Sequence, residues 1–137
     1  MRIGLSTYSL DREIAAGRMT LGEVLDWIAA HGGECAELVP FAYRFDDPET
    51  GVIDEEKIRT VRRRAQDAGI GLSNYSVLAD LCVQGEAYEK EIARICHHVD
   101  IAAALGVPCM RHDIAAFRRP LAQNGLDAFD VLLPQMV

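Results

Sequence analysis

The sequence predicts an α/β fold of parallel β/α repeats, and three observations carry that expectation. Gly32, Gly69 and Gly106 recur at a step of 37 residues, and each closes a stretch with helical patterning. Each is followed within a few residues by a short apolar run of strand character. A fixed period of this size marks a repeated supersecondary unit, here strand, loop, helix, glycine and next strand. Strands alternating with helices imply β-α-β units, a parallel sheet and right-handed crossovers.

The first strand is expected over Arg2 to Ser9, short and partly apolar. Leu10 to Met19 reads as a polar connection with room for a helical turn. Thr20 and Glu23 then form a T-x-x-E capping box, in which each side chain satisfies a free backbone donor of the first helical turn. Leu21, Val24, Leu25 and Ile28 share one face at helical spacing. Gly32 and Gly33 end this helix, where the chain favours positive φ. His31 beside that end suits a helix C-terminus when protonated.

The second strand is expected over Glu34 to Val39, and Pro40 stops it because proline cannot extend a ladder. A loop with three aromatics follows from Phe41 to Gly51, with a turn at Asp47-Pro48. Asp54 caps the next helix, and Ile53 with Ile58 suits a hydrophobic staple. Ile58, Val61, Ala65 and Ala68 line its buried face. Arg62, Arg63 and Arg64 read as its solvated face.

The third strand is expected over Gly71 to Val77, then a connection from Leu78 to Gly85. A long helix from about Glu86 to Leu105 places Tyr88, Ile92, Ile95, Val99 and Ala102 or Ala103 inside. The fourth strand is expected over Val107 to His112. An arginine-rich loop with Pro120 leads to a last helical pattern of Leu126, Phe129, Leu132 or Leu133 and Met136. That pattern has no stop signal before Val137, so the chain reads as ending inside its fourth helix.

Composition narrows the function classes. The chain has 137 residues, is 50% hydrophobic and 26% charged, which is ordinary for one globular domain. The net charge of −7 argues against a nucleic-acid partner, which needs a basic face. No signal peptide or membrane-spanning run is expected. The four cysteines, Cys35, Cys82, Cys96 and Cys109, include no C-x-x-C pair and read as buried reduced thiols of a cytoplasmic protein.

Two layouts fit the β/α pattern, an open doubly wound sheet and a segment of a TIM barrel. No G-x-G-x-x-G follows the first strand, which reads Gly4-Leu5-Ser6-Thr7-Tyr8-Ser9 and weakens a dinucleotide fold. A regular step favours the barrel, whose units are geometrically equivalent. At about 250 residues for a whole barrel, this length gives its first half, about four β/α units.

That opening segment, together with Ala36-Glu37-Leu38-Val39-Pro40, Gly69-Ile70-Gly71-Leu72-Ser73 and Met110-Arg111-His112-Asp113, resembles the xylose isomerase-like barrels. More narrowly it is similar to the bacterial sugar phosphate isomerase/epimerase group. The resemblance spans nearly the whole chain, as the N-terminal half of such a barrel. It implies, for a full-length relative, metal-dependent aldose–ketose isomerisation or epimerisation of a small sugar or polyol. It also implies a divalent ion (Mn²⁺, Mg²⁺ or Zn²⁺) held by two glutamates, an aspartate and a histidine, which would polarise a carbonyl while a carboxylate moves the proton. Those ligands belong to strands five to eight, so this chain is expected to hold no metal and to be inactive alone. In the family's DNA-repair branch, histidines at the third and fourth strand ends bind zinc. Here Asn74-Tyr75 stands at the third position, which breaks that pattern and weighs against abasic-site cleavage.

In such barrels the site lies at the carboxyl ends of the strands. The candidates by position are Tyr8 and Ser9, Glu37, Asn74 and Tyr75, and Arg111, His112 and Asp113. Tyr75 and His112 each stand six residues past their glycine. His112 is a candidate proton shuttle, metal ligand or hydroxyl partner; the alternative is a packed structural histidine. Glu37 is a candidate to polarise a substrate hydroxyl, or else a partner for an arginine such as Arg111. Tyr8 and Tyr75 read as pocket wall or as core. Arg111, Arg118 and Arg119 suit a substrate phosphate, with surface solvation the alternative for the last two. His97, His98 and Cys96 do not form a metal site, because adjacent helical residues face apart. A non-catalytic half-barrel that pairs with itself or a partner through its outer strands is the competing expectation.

Overall fold

The computed structural model describes residues 1–115 and 134. Its framework is a four-stranded sheet in the order β1-β2-β3-β4, with β1 Gly4–Ser6, β2 Cys35–Leu38, β3 Gly71–Val77 and β4 Met110–His112. β1 pairs with β2 in parallel, and β2 with β3 likewise. β4 follows β3, and the Tyr75 N–H donates to the Cys109 carbonyl at 3.2 Å where it begins. A short 3₁₀ turn Thr7–Leu10 and helix α1 Asp11–Ala15 come after β1. The connecting helices are α2 Leu21–Ala30, α3 Glu55–Asp67 and α4 Glu86–Leu105. The α/β class and the parallel arrangement expected from the sequence are present. Among the described residues no helix is long and apolar enough to cross a membrane.

Two compact units divide the chain. The first holds Met1–Ser76 and Asp100–Arg111. Its core is built from Val24, Leu25 and Ile28 of α2, Ala36 and Leu38 of β2, Ile58, Val61 and Ala65 of α3, Tyr75 of β3, and Ile101 and Leu105. Phe45, from the loop after β2, is buried among them, its ring 5.5 Å from Tyr43 and 6.2 Å from Tyr75. The other unit holds Val77–Val99 with the described residues from His112 on. There Val77, Ala79, Leu81 and Ile95 are buried. Glu91 pins the β3–α4 loop by accepting from the Asp80 N–H at 2.8 Å, and Arg94 grips both the Glu91 carboxylate and the Leu78 carbonyl.

The repeat glycines do one job three times. Gly32, Gly69 and Gly106 have φ of +82°, +73° and +70°. Each N–H donates three residues back, to Ala29, Gln66 and Ala103. The next N–H reaches five back, from Gly33 to Ile28, Ile70 to Ala65 and Val107 to Ala102. This is the Schellman arrangement, which turns each helix directly toward its next strand.

The caps read from sequence also form. Thr20 Oγ1 accepts from the Glu23 N–H at 3.2 Å, and Glu23 Oε2 accepts from the Thr20 N–H at 2.7 Å. Asp54 Oδ1 accepts from the Lys57 N–H at 2.9 Å. In the 41–51 loop, Asp47 Oδ1 collects donors from Glu49 and Thr50. His31 Nδ1–H donates to the Trp27 carbonyl at 2.8 Å while its ring stacks on the indole at 4.0 Å.

Three expectations are corrected. β1 is three residues rather than Arg2 to Ser9, because Ser6 Oγ accepts from the Tyr8 N–H and turns the chain into the 3₁₀ helix. Val99 is 51% exposed, because the buried positions of α4 are Ile95, Ile101, Ala102 and Leu105 and Val99 lies about a quarter-turn off that stripe. The cysteines are free thiols but not buried: Cys35 and Cys82 are half-buried, while Cys96 on α4 and Cys109 before β4 are exposed. The pattern from Leu126 to Met136 and the pair Arg118 and Arg119 lie outside the described residues.

Candidate functional site

A register shift creates the site. Ala36 pairs with Leu72, but the next residue, Glu37, pairs with Asn74, so Ser73 is the extra residue of a bulge. Ser73 Oγ donates to the Ala36 carbonyl at 3.1 Å and holds the bulge. Bulges re-aim side chains, and this one sets Asn74 beside Glu37. Alternation along β3 then puts Asn74 and Ser76 on one face and Tyr75 on the other.

The polar face is a continuous network within the first unit. Asn74 Nδ2 donates to Glu37 Oε1 at 3.0 Å and to Ser76 Oγ at 2.7 Å. Ser76 Oγ donates to the same Glu37 oxygen at 2.5 Å. Arg111 Nε donates to Ser76 Oγ at 3.4 Å. The Cys109 thiol donates to Asn74 Oδ1 at 3.3 Å, which leaves the amide nitrogen for the carboxylate. Ser76 is 1% exposed, Glu37 and Asn74 are half-buried, and Arg111 is exposed.

Burial works against the charge on Glu37. Hydrogen bonds from Ser76, Ser6 and Asn74, together with the Arg111 guanidinium, outweigh it and hold the carboxyl below its ordinary value. The result is a carboxylate kept ionised at a strand end. Such a group accepts hydrogen bonds from hydroxyl or ammonium donors, and with its pKa lowered it is a weak base.

Beside it, Thr7 Oγ1 accepts from the Val39 N–H at 2.9 Å and shares a 3.0 Å hydrogen bond with the Tyr43 hydroxyl. Burial, with smaller contributions from the Asp11 and Glu37 charges, pushes the Tyr43 phenol well above its ordinary range. Tyr43 is therefore a neutral strut. Asp11 Oδ1 is buried and has no hydrogen-bond partner among the described residues.

The positional candidates separate clearly. Glu37, Asn74 and Arg111 come together through Ser76. Tyr8 is 60% exposed and meets Phe41 edge-on at 5.4 Å, so it offers an open aromatic face beyond β1. Ser9 next to it is exposed. Tyr75, 1% exposed, is on the core face against Phe45. His112 belongs to the second unit, is exposed, and bonds through Nδ1 to the Asp113 carbonyl at 2.8 Å. Asp113 donates its N–H to the Val77 carbonyl at 3.3 Å.

Ser76 is the member of this network that sequence reading missed. A partial signal existed: Glu37, Asn74 and Arg111 each stand five residues past a repeat glycine, so the period lines them up on successive strands. Position six, held by Leu38 and Tyr75, is the core position in β2 and β3.

Among the described residues no three His, Cys, Asp or Glu side chains converge to hold a metal ion. No family model matches the chain, and no curated protein matches its sequence.

Proposed function

We propose that this chain is the first half of a barrel of the xylose isomerase-like kind, and that the carboxyl edge of its sheet binds a small sugar or polyol. The observation that supports this best is Glu37: a half-buried carboxylate kept ionised at the end of β2, with Arg111 joined to it through Ser76. Charged hydrogen bonds of this kind favour a ligand rich in hydroxyl groups. The exposed ring of Tyr8 suits the C–H face of the same ligand. Glu37 accepts a ligand hydroxyl, and Arg111 donates to a ligand oxygen, whether hydroxyl, carbonyl or phosphate.

The resemblance carries metal-dependent isomerisation or epimerisation for the full-length relative, in the cytoplasm. The described side chains do not fit the divalent ion that this chemistry implies, so no step is routed through one. For this chain the reading is binding without turnover.

Saturation-transfer NMR with ribitol, D-xylose and D-fructose tests the reading. Transfer to at least one of the three is expected, and Glu37→Gln weakens it by about tenfold, the effect of losing one charged hydrogen bond. Silence from all three in the wild type, or transfer indifferent to Glu37→Gln, contradicts it.

The sheet order favours a second reading, in which β1 and β4, the outer strands, pair with another copy of the chain. Sedimentation equilibrium then gives a mass that rises with concentration. A constant monomer mass with cooperative unfolding removes this reading.

A further inference from the structure

Ser76 sits where three polar groups meet, and only one arrangement of protons satisfies them. Asn74 Nδ2 and Arg111 Nε are both obligatory donors, and both point at Ser76 Oγ, at 2.7 and 3.4 Å. They fill the two acceptor positions of the hydroxyl. Its single proton must therefore go to the third neighbour, Glu37 Oε1, at 2.5 Å. The direction of the chain is fixed as Arg111 to Ser76 to Glu37. A serine hydroxyl beside a single partner rotates freely; this one has no alternative. At 1% exposure it does not itself reach a ligand.

We infer that Ser76 is a positioning residue: its hydroxyl ties the Arg111 guanidinium to the Glu37 carboxylate at Oε1, so that a ligand hydroxyl meets a carboxylate held in one orientation. This rests on the reading that Glu37 accepts a ligand hydroxyl. Asn74 Nδ2 reaches the same Oε1 at 3.0 Å, and the Ser6 hydroxyl is a third donor to the carboxylate. The carboxylate is thereby held in one orientation and one charge state. Arg111, linked to the same serine, is held at a fixed offset from it. A ligand then meets an acceptor and a cation at set spacing, which selects among hydroxyl arrangements rather than only attracting polar molecules.

The test compares the wild type with Ser76→Ala and Ser76→Thr. Three quantities are read by NMR: the titration of the Glu37 carboxylate carbon, the exchange rate of the Arg111 Nε–H, and the affinity for ribitol, D-xylose and D-fructose. In the wild type Glu37 titrates below ordinary glutamate. Ser76→Ala moves that titration upward, because burial then acts with one donor fewer. It also speeds Nε–H exchange and weakens sugar binding by about tenfold each, the effect of one hydrogen bond to a charged group. Ser76→Thr, which keeps the hydroxyl, restores all three, whereas a purely structural role would not track the hydroxyl.

A folded Ser76→Ala protein with unchanged Glu37 titration and unchanged Nε–H exchange overturns the inference. Should the alanine variant not fold, the wild-type Arg111 Nε–H decides, since exchange as fast as that of a fully exposed arginine means that the guanidinium is not tied to Ser76. If the wild type binds none of the three sugars, the sugar reading fails while the titration still decides the role of Ser76. If both proteins bind a sugar equally well, the inference about Ser76 fails and the sugar reading stands.

Discussion

At the scale of single residues, Glu37 balances burial against donors. Burial raises its carboxyl, while Ser76, Ser6, Asn74 and Arg111 lower it further than burial raises it. Because the folded value is depressed, the stabilisation is fully present above the unfolded value, ordinarily 4.5. It is lost as pH falls through the folded value. Acid unfolding of Glu37→Gln should therefore show a shallower loss of stability below about pH 4.5 than the wild type. Parallel acid profiles for the two proteins would show that the carboxylate is not held ionised by its neighbours. Glu37 and Arg111 were legible from their strand-end positions and from the need of a buried carboxylate for a cation, while the repeat period was read at Tyr75 and His112. Ser76 was not, since a small hydroxyl among other polar residues of β3 carries no distinguishing signal. Its role depends on the bulge at Ala36/Glu37, which sets the register of β3 by one residue. Tyr75 shows the opposite case: a chemistry-bearing residue at a strand end whose pleat position turns it to the core.

At the scale of elements, the three helix ends pair their side chains by size. The residue whose carbonyl accepts the five-back hydrogen bond is Ile28, Ala65 or Ala102, and its donor is Gly33, Ile70 or Val107. A large residue on one side meets a small one on the other each time. At Gly33 the reason is steric, because an added Cβ would lie 2.4 Å from Ile28 Cγ2 and 2.9 Å from its carbonyl oxygen. Ile28→Ala should lose about 2–5 kcal/mol, as buried truncations do. Gly33→Val should also destabilise by overpacking. The double variant should recover at least about 1 kcal/mol relative to the sum of the two, measured by urea unfolding. Strict additivity would show that the two positions do not share a space. Gly69 is a different test, since nothing lies within 4 Å of an added Cβ and only its φ of +73° matters. Gly69→Ala should cost about 1 kcal/mol and Gly69→Asn less. Equal stability of the alanine variant would mean that this helix end is not left-handed. The helix caps were legible for the same local reason as these glycines, and Thr20→Ala should cost about 1 kcal/mol. The length of β1 was not legible, because the Ser6 hydroxyl, rather than hydrophobic pattern, decides where that strand stops.

At the scale of the whole molecule, the period of 37 residues organises chemistry as well as fold. It sets Glu37 beside Asn74 after the bulge, whereas Arg111 of β4 meets Ser76, and the polar row spans all three strands. Parallel β/α folds concentrate function at the carboxyl ends of their strands, where helix starts and loops converge. The proposed sugar site uses that edge, with Tyr8 beyond β1, Glu37 near the end of β2, Asn74 and Ser76 on β3, and Arg111 on β4. A groove between the start of α2 and α3 is lined by Thr20, Glu23, Lys57, Arg63 and Arg64. Two of its charges are engaged, since Glu23 closes the capping box and Arg64 grips Asp26. Backbone amide shift mapping distinguishes these two surfaces in one experiment. On addition of ribitol, D-xylose or D-fructose, the account predicts shifts concentrated at Tyr8, Glu37, Asn74, Ser76 and Arg111. Shifts confined to the α2–α3 groove, or none with any of the three, would contradict it.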